Sequence, residues 1–349
     1  MQPILILKTA ALGDVLRTTS ILPGLRARQP HARVTWVTAP EAVDLVRHHP
    51  LVHEVVPFQP GSPQSLQELS QRLSSTTWER VLSLDEEEAC CRLASRLPAK
   101  RLSGAWFDER GLVRRYTPDV APWFDMGLLS VLGKRAADGL KRTNRLSHAQ
   151  IFARMLGVRD GKPQLALDAD SEGEGAALRE LLEASHPRPW IGLNTGAGGR
   201  WTSKALPVER VVALTRALNE ALSGKVSFLL FGGPAEAARN REIAAGLGGR
   251  VRLADTGCDN PLLRFAAFIS LCDLLIVSDS LALHVAVARG VRTVAFFAPT
   301  PAAEIDLFGR GEKVESTAPD AGSYHPDADT STLTVDRLRD AALRQLGAS

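Results

Sequence analysis

The chain is poor in features that would assign it quickly. It has only four cysteines (Cys90, Cys91, Cys258 and Cys272) and no C-x-x-C pair. That spacing argues against a zinc ribbon and makes free thiols the expected state. No apolar run approaches the roughly 20 residues of a membrane span. The ILIL before Lys8 is too short for a signal-peptide core, so a cytoplasmic location is expected. A Walker A loop, G-x-x-x-x-G-K-[ST], is absent, and no G-x-G-x-x-G follows the first apolar run, which speaks against a Rossmann oxidoreductase. Asp168-x-Asp170 lies in a Gly- and Pro-bearing stretch and reads as solvated rather than as a metal-binding pair, so no metal site is expected. Aromatic residues make up only 5% of the 349 positions, and aliphatic side chains dominate, as suits helices packed on parallel strands.

The net charge of +3 hides an asymmetry. Residues 1–160 hold 22 Lys+Arg against 16 Asp+Glu, and residues 161–349 hold 20 against 23. The excess concentrates in 92–145, which contains Arg114, Arg115, Lys134, Arg135, Lys141 and Arg142. Such a region suits an anionic partner, although each of these residues alone could equally be part of a solvated surface. No nucleic-acid partner is expected.

Strand-like runs at 3–8, 33–38, 53–57 and 80–84 alternate with helical patterns at 14–28, 40–48, 65–75 and 86–96. Apolar runs without alternation imply strands covered on both faces, hence a parallel sheet. Order weakens over 99–145, and such a long irregular stretch is more often functional than idle. A helix is expected over 147–157, and 157–175 reads as a linker. Strands follow at 190–195, 226–232, 273–278 and 293–299, with helices from Pro207, from 235, and over 261–271, 280–289 and 334–346. This pattern predicts two α/β domains, 1–165 and 166–349, with the last helix free to fold back on either one.

Four segments carry candidate chemistry. In ILILKTAALGDVLRTTSILPGL (4–25), Asp14 stands where a helix begins after the first strand, at the sheet edge where ligands bind in open α/β folds. A base fits there, and so does a plain first-turn carboxylate. NTGAGGRWTSKALP (194–207) places Lys204 after a glycine-rich turn; glycines let backbone N–H groups approach an anion and lysine adds a point charge. SDSLALH (278–284) lets Asp279 and Ser280 cap a helix whose start favours a diphosphate, with His284 one turn on. FGGPAEAARN (231–240) carries Glu236, suited to ribose hydroxyls or to a helix dipole.

The order of these segments resembles glycosyltransferase family 9, the ADP-heptose:lipopolysaccharide heptosyltransferases, along nearly the whole chain. The matching segments are KTAALGDVLRTTSILPGL, GGRWTSKALP and CDLLIVSDSLALHVAVARGVRTVAFFAPT. The resemblance implies a GT-B architecture: two Rossmann-like domains with parallel sheets facing across a cleft, the first taking the acceptor and the second the nucleotide-sugar. It implies an inverting, metal-independent transfer of heptose from ADP-heptose to a hydroxyl of the anionic lipopolysaccharide inner core, with no cofactor. Asp14 matches the catalytic base. Gly199, Lys204, Glu236, Asp279, Ser280, Leu281 and His284 match donor-binding positions, and Lys8, Gly13, Arg114, Arg115 and Lys141 would meet the acceptor.

The pattern departs at Ser280 for threonine, Leu281 for glycine and Ala298 for glycine. SYHPDAD (323–329) lacks the cysteines that some relatives carry near a C-terminal tyrosine. An acceptor of this class is compatible with peripheral contact at the inner membrane. Two alternatives stay open. One is a transferase of the same fold that uses another nucleotide-sugar or a protein or small-molecule acceptor; the other is a non-catalytic nucleotide-binding scaffold.

Overall fold

The computed structural model describes residues 2–198 and 201–347. The chain divides into two compact units, Met1–Ala166 and Leu167–Ser349. The strands of the first are β1 (Gln2–Leu7), β2 (Ala32–Thr38), β3 (Glu54–Pro57), β4 (Arg80–Ser83), β5 (Leu102–Asp108) and β6 (Val113–Tyr116). They lie side by side in the order β3-β2-β1-β4-β5-β6. All pairs are parallel except β5 with β6, an antiparallel hairpin at the edge. Ile4, Leu5, Ile6 and Leu7 are fully buried, because helices cover both faces of β1. Leu5, Leu7, Val37 and Val81 share one core with Phe58 and with Leu93 of the helix Glu88–Arg96.

The second unit repeats the plan with β7 (Trp190–Asn194), β8 (Ser227–Leu230), β9 (Leu253–Asp255), β10 (Leu274–Ser278), β11 (Thr293–Phe297) and β12 (Gly311–Glu315). Its order is β12-β11-β10-β7-β8-β9, parallel throughout. Counted within each unit, both sheets run 3-2-1-4-5-6, the doubly wound order. The direction of winding reverses between β1 and β4 in one unit and between β7 and β10 in the other. At such a switch point the loops leave to opposite faces and open a crevice at the carboxyl ends of the strands. The C-terminal helix Val335–Leu346 packs on the second unit, against the helix Val208–Ala221 and strands β10 to β12. Leu338, Ala341 and Ala342 join the core there.

Several expected elements need correction. The helix expected over 14–28 is broken into Leu12–Thr18, a 3₁₀ turn Thr19–Ile21 and Leu22–Arg28. Pro23 has no N–H to continue the ladder and restarts the helix instead. Segment 40–48 is a 3₁₀ helix, Pro40–Leu45. The stretch 99–145 is not irregular: it holds β5, β6 and a helix Lys134–Thr143. Its pattern is hidden because β6 (VRRY) is an exposed edge strand with no buried face to mark its period, and because Gly104 interrupts β5. Gly104 has φ +130° and packs so closely on β4 that a Cβ would lie 1.9 Å from the Ser83 carbonyl oxygen.

The linker read at 157–175 is shorter than expected, since a helix Ala169–Ser185 begins inside it. Gly175 is needed in that helix for close packing, with its Cβ position only 3.2 Å from Ala267 Cβ on the neighbouring helix Leu262–Ile269. Asp168, expected to be solvated, caps the new helix, its carboxylate accepting from Ser171 N at 2.8 Å. β9 and β12 escape the sequence reading. Removing an N-cap carboxylate costs about 1 kcal/mol, so Asp168→Ala should lower the urea-unfolding free energy by that amount. No change in unfolding would mean that the cap does not hold the helix.

Candidate functional site

In the first unit the β1–β4 switch point is organised by a carboxylate that the sequence reading did not single out. Asp85 follows β4, is buried, and accepts from Thr9 N at 2.7 Å, Thr9 Oγ1 at 2.8 Å and Ala10 N at 3.1 Å. Lys8 Nζ stands 3.6 Å from it and also donates to the Ala10 carbonyl. Burial alone would push the Asp85 carboxyl up. The Lys8 charge and the Thr9 and Ala10 hydrogen bonds outweigh that and hold it below its ordinary value. Asp85 therefore fixes the loop that leads into the helix Leu12–Thr18. The only local hint is its place after the run RVLSL, which mirrors the place of Lys8 after β1.

Asp14 sits in the first turn of that helix, directly after Gly13, with its side chain about one-third exposed. Arg17, one turn on, pairs with it at 2.9 Å and lies 5.3 Å from the centroid of the Trp123 ring. The carboxylate thus has an orienting cation that is itself held by an aromatic ring.

The basic residues of this unit separate. Arg114 Nη1 donates to the Glu86 carbonyl at 2.7 Å, whereas Arg115 turns to Asp108 at 3.0 Å. Neighbours on a strand point to opposite faces, so the two arginines cannot serve one ligand together. Lys141 and Lys8 both exert their charge on the Glu86 carboxyl, which burial keeps above its ordinary value. Lys8, Arg114 and Lys141 are therefore gathered beside Glu86, and Arg115 is not.

In the second unit the switch point between β7 and β10 brings Lys204 to Asp279. Lys204 Nζ donates to Asp279 Oδ2 at 2.7 Å and to the Asp279 carbonyl at 3.0 Å, and Thr300 Oγ1 reaches the same carboxylate at 2.7 Å. Burial would raise the Asp279 carboxyl, but the charges of Lys204 and then His284, with these hydrogen bonds, keep it below its ordinary value. The expected capping by Asp279 and Ser280 is not found. Ser280 occupies the N-cap position of the helix Leu281–Arg289, but its hydroxyl donates back to the Ser278 carbonyl at 3.3 Å. Among the described residues no side chain caps that helix start.

Glu236 is buried, and each of its oxygens accepts a backbone amide: Gly198 N at 2.6 Å and Gly233 N at 2.9 Å. It is first a clamp between two glycine loops, a role the sequence reading did not give it. Gly196 must be glycine here, since a Cβ would lie 2.5 Å from Glu236 Cγ. A cavity of about 400 Å³ opens beside the clamp, lined among others by Gly232, Cys258, Asn260, Phe265, Ser280 and Leu281. Gly199 lies outside the described residues.

The segment SYHPDAD braces the lysine loop, with Ser203 N donating to the Pro326 carbonyl at 3.1 Å and Tyr324 N to the Pro299 carbonyl at 2.8 Å. Ala298 takes part through its carbonyl, which accepts from Gly322 N at 2.8 Å. The segment also holds a second D-x-D, Asp327-Ala328-Asp329, which the sequence reading missed. Its carboxylates accept from Thr202 and Ser331 respectively. Among the described residues no group of three or more His, Cys, Asp or Glu could hold a metal ion.

Asp85 has a depressed carboxyl, so its contribution to stability is complete above the ordinary aspartate value near pH 4 and is lost as pH falls through the lower folded value. Asp85→Asn leaves buried donors imperfectly met and should cost about 3 kcal/mol at neutral pH. The gap to wild type should narrow as urea unfolding is repeated below about pH 4. A gap independent of pH would contradict the ionised-carboxylate account.

Comparison with known proteins bears on the family and the fold. The model of glycosyltransferase family 9 (heptosyltransferase) matches residues 141–320, more than half of the chain. A protein of Haemophilus influenzae, named only provisionally as a glycosyltransferase, is 22% identical over 304 residues, covering 85% of this chain and 82% of its own. A family 9 glycosyl transferase from Veillonella parvula superposes with a TM-score of 0.79 at 20% identity, covering 100% of this chain and 98% of that one. The ADP-heptose lipopolysaccharide heptosyltransferase II of E. coli gives 0.69 at 18% identity, with 99% and 98% covered. These likenesses show the fold, two mostly parallel six-stranded sheets with helices, as in GT-B glycosyltransferases. With a family model matched over more than half of its length, the chain belongs to glycosyltransferase family 9.

Proposed function

We propose that the protein is an inverting heptosyltransferase that moves a heptose from ADP-heptose to a hydroxyl of an anionic lipopolysaccharide inner-core acceptor. Asp14 removes the proton of that hydroxyl as its oxygen bonds to the anomeric carbon. The bond from that carbon to the β-phosphate oxygen of ADP breaks, and the configuration inverts. A positioned base of this kind is worth about 100- to 10,000-fold in rate.

The observation that carries the reading is the lysine at the second switch point. Lys204 spends two donors on Asp279 and keeps a third for a phosphate oxygen. Asp279 is thereby a positioning residue: it fixes where the ammonium stands. The amides that open the uncapped helix Leu281–Arg289 supply further positive potential for the departing diphosphate. These groups can carry the charge that a divalent cation carries in other transferases. Glu236, though clamped to two amides, retains a lone pair on each oxygen for ribose hydroxyls. Arg114 and Lys141 would meet the acceptor's carboxylates and phosphates, while the buried Lys8 would hold the loop beside them. The acceptor would place the enzyme in the cytoplasm, at the inner face of the inner membrane.

One observation favours a second reading. Leu281 lines the cavity where the resemblance implies glycine, so the pocket is narrower there and could suit another nucleotide-sugar with the same base and lysine. Asp14→Asn separates chemistry from binding in either case. It should reduce kcat at least about 100-fold while the ADP dissociation constant stays within about twofold. Near-wild-type turnover of that variant removes Asp14 from the role of base.

A further inference from the structure

Seven large apolar side chains stand well exposed among the described residues, and six of them lie between positions 112 and 140. They are Leu112, Val113, Leu128, Val131, Leu132 and Leu140, with Leu128 89% and Val131 75% exposed. Monomeric proteins seldom gather such residues on one stretch without a partner for them.

Their supports bring them to one edge of the first unit. Leu112 ends the turn between β5 and β6, and Val113 begins β6, the edge strand. The loop bearing Leu128, Val131 and Leu132 docks beside that strand: Val131 N donates to Tyr116 Oη at 3.1 Å, and Leu128 N to Glu86 Oε2 at 3.1 Å. Arg114 of β6 donates to the carbonyl of the same Glu86. The helix Lys134–Thr143 follows directly, buries Ala137 and leaves Leu140 exposed.

The charge on this edge is positive, because its acids are already engaged. Asp108 pairs with Arg115, Glu109 with Arg92, Asp119 with Arg101 and Asp138 with Lys134, while Asp125 accepts from Tyr116. Arg110 and Arg135 form no ion pair with a carboxylate among the described residues, and Arg142 acts on Asp138 only through its charge, without an ion-pair contact. Leucines and valines interleaved with unpaired arginines match an anionic lipid surface, where apolar tips enter the headgroup boundary and cations meet phosphates. The exposed apolar set contains no Trp, Tyr or Phe, the residues that anchor most protein interfaces.

We propose that this edge, comprising the β5–β6 turn, the 127–133 loop and the helix Lys134–Thr143, docks the protein on an anionic lipid bilayer. It deepens the acceptor reading above, since a lipid-linked acceptor resides at such a surface. Vesicle binding is measured without any sugar substrate, so it stands or falls separately from that reading.

The test is co-sedimentation of the full chain with phosphatidylcholine vesicles, with and without phosphatidylglycerol. Binding should require phosphatidylglycerol and weaken as salt is raised. It should drop at least about tenfold in a Leu128→Ser/Val131→Ser/Leu132→Ser variant and in an Arg135→Glu/Arg142→Glu variant. Both variants should keep the wild-type melting temperature and the wild-type turnover of a water-soluble, delipidated acceptor. The proposal is overturned if wild type does not bind the anionic vesicles or if both variants bind as well as wild type. It is also overturned if the apolar variant instead abolishes a concentration-dependent dimer seen by size exclusion.

Discussion

Carboxylates buried at the strand ends hold the loops on which the proposed chemistry depends. A parallel sheet delivers its loops to one edge with their N–H groups unpaired, and a buried donor without an acceptor costs on the order of 1–3 kcal/mol. Asp85 satisfies Thr9 and Ala10 in the first unit, and Glu236 satisfies Gly198 and Gly233 in the second. Asp279 holds Lys204 and Thr300 at the second switch point. For Asp85 and Asp279 burial works against the charge, and the neighbouring lysine together with local donors outweighs it. The loops are thereby fixed before any ligand arrives, which is what a site stabilising a short-lived charge distribution requires.

The doubled topology explains why these anchors fall where they do. Each unit reverses its winding between its first and fourth strands, and each reversal carries one cation–carboxylate pair. In the first unit the pair is Lys8 with Asp85, and in the second it is Lys204 with Asp279. The two differ in what they leave available. Lys8 is almost wholly buried and ties its own loop, while the Lys204 side chain stays 21% exposed. The first pair serves as scaffold for the neighbouring loop, and the second is the one proposed to contact phosphate.

The central strands were legible because strands covered on both faces leave unbroken apolar runs, as in ILIL and LLIVS. β6 was not, because an exposed edge strand of charged residues has no buried side to set a period. The helix Ala169–Ser185 was hidden for another reason: it carries two glycines, of which Gly175 packs closely on Ala267, and such residues look like a linker. At the site, Asp14, Lys204 and Asp279 were visible from their places after strands. The pairing of Lys204 with Asp279 was not, since it spans 75 positions. Asp85 was missed for the same reason: its role is defined by backbone amides 75 and 76 residues away. The reading of Ser280 as a cap failed because its hydroxyl had a nearer acceptor in the Ser278 carbonyl.

The central claim is that the second unit is built to hold an ADP-linked sugar. Calorimetric titration of the protein with ADP, UDP, GDP and ADP-heptose tests it most directly. The account predicts binding by ADP and ADP-heptose at least about tenfold tighter than by UDP or GDP, a difference of about 1.4 kcal/mol. Preference for UDP or GDP would contradict the donor assignment, and no binding by any of the four would contradict the transferase reading of this site.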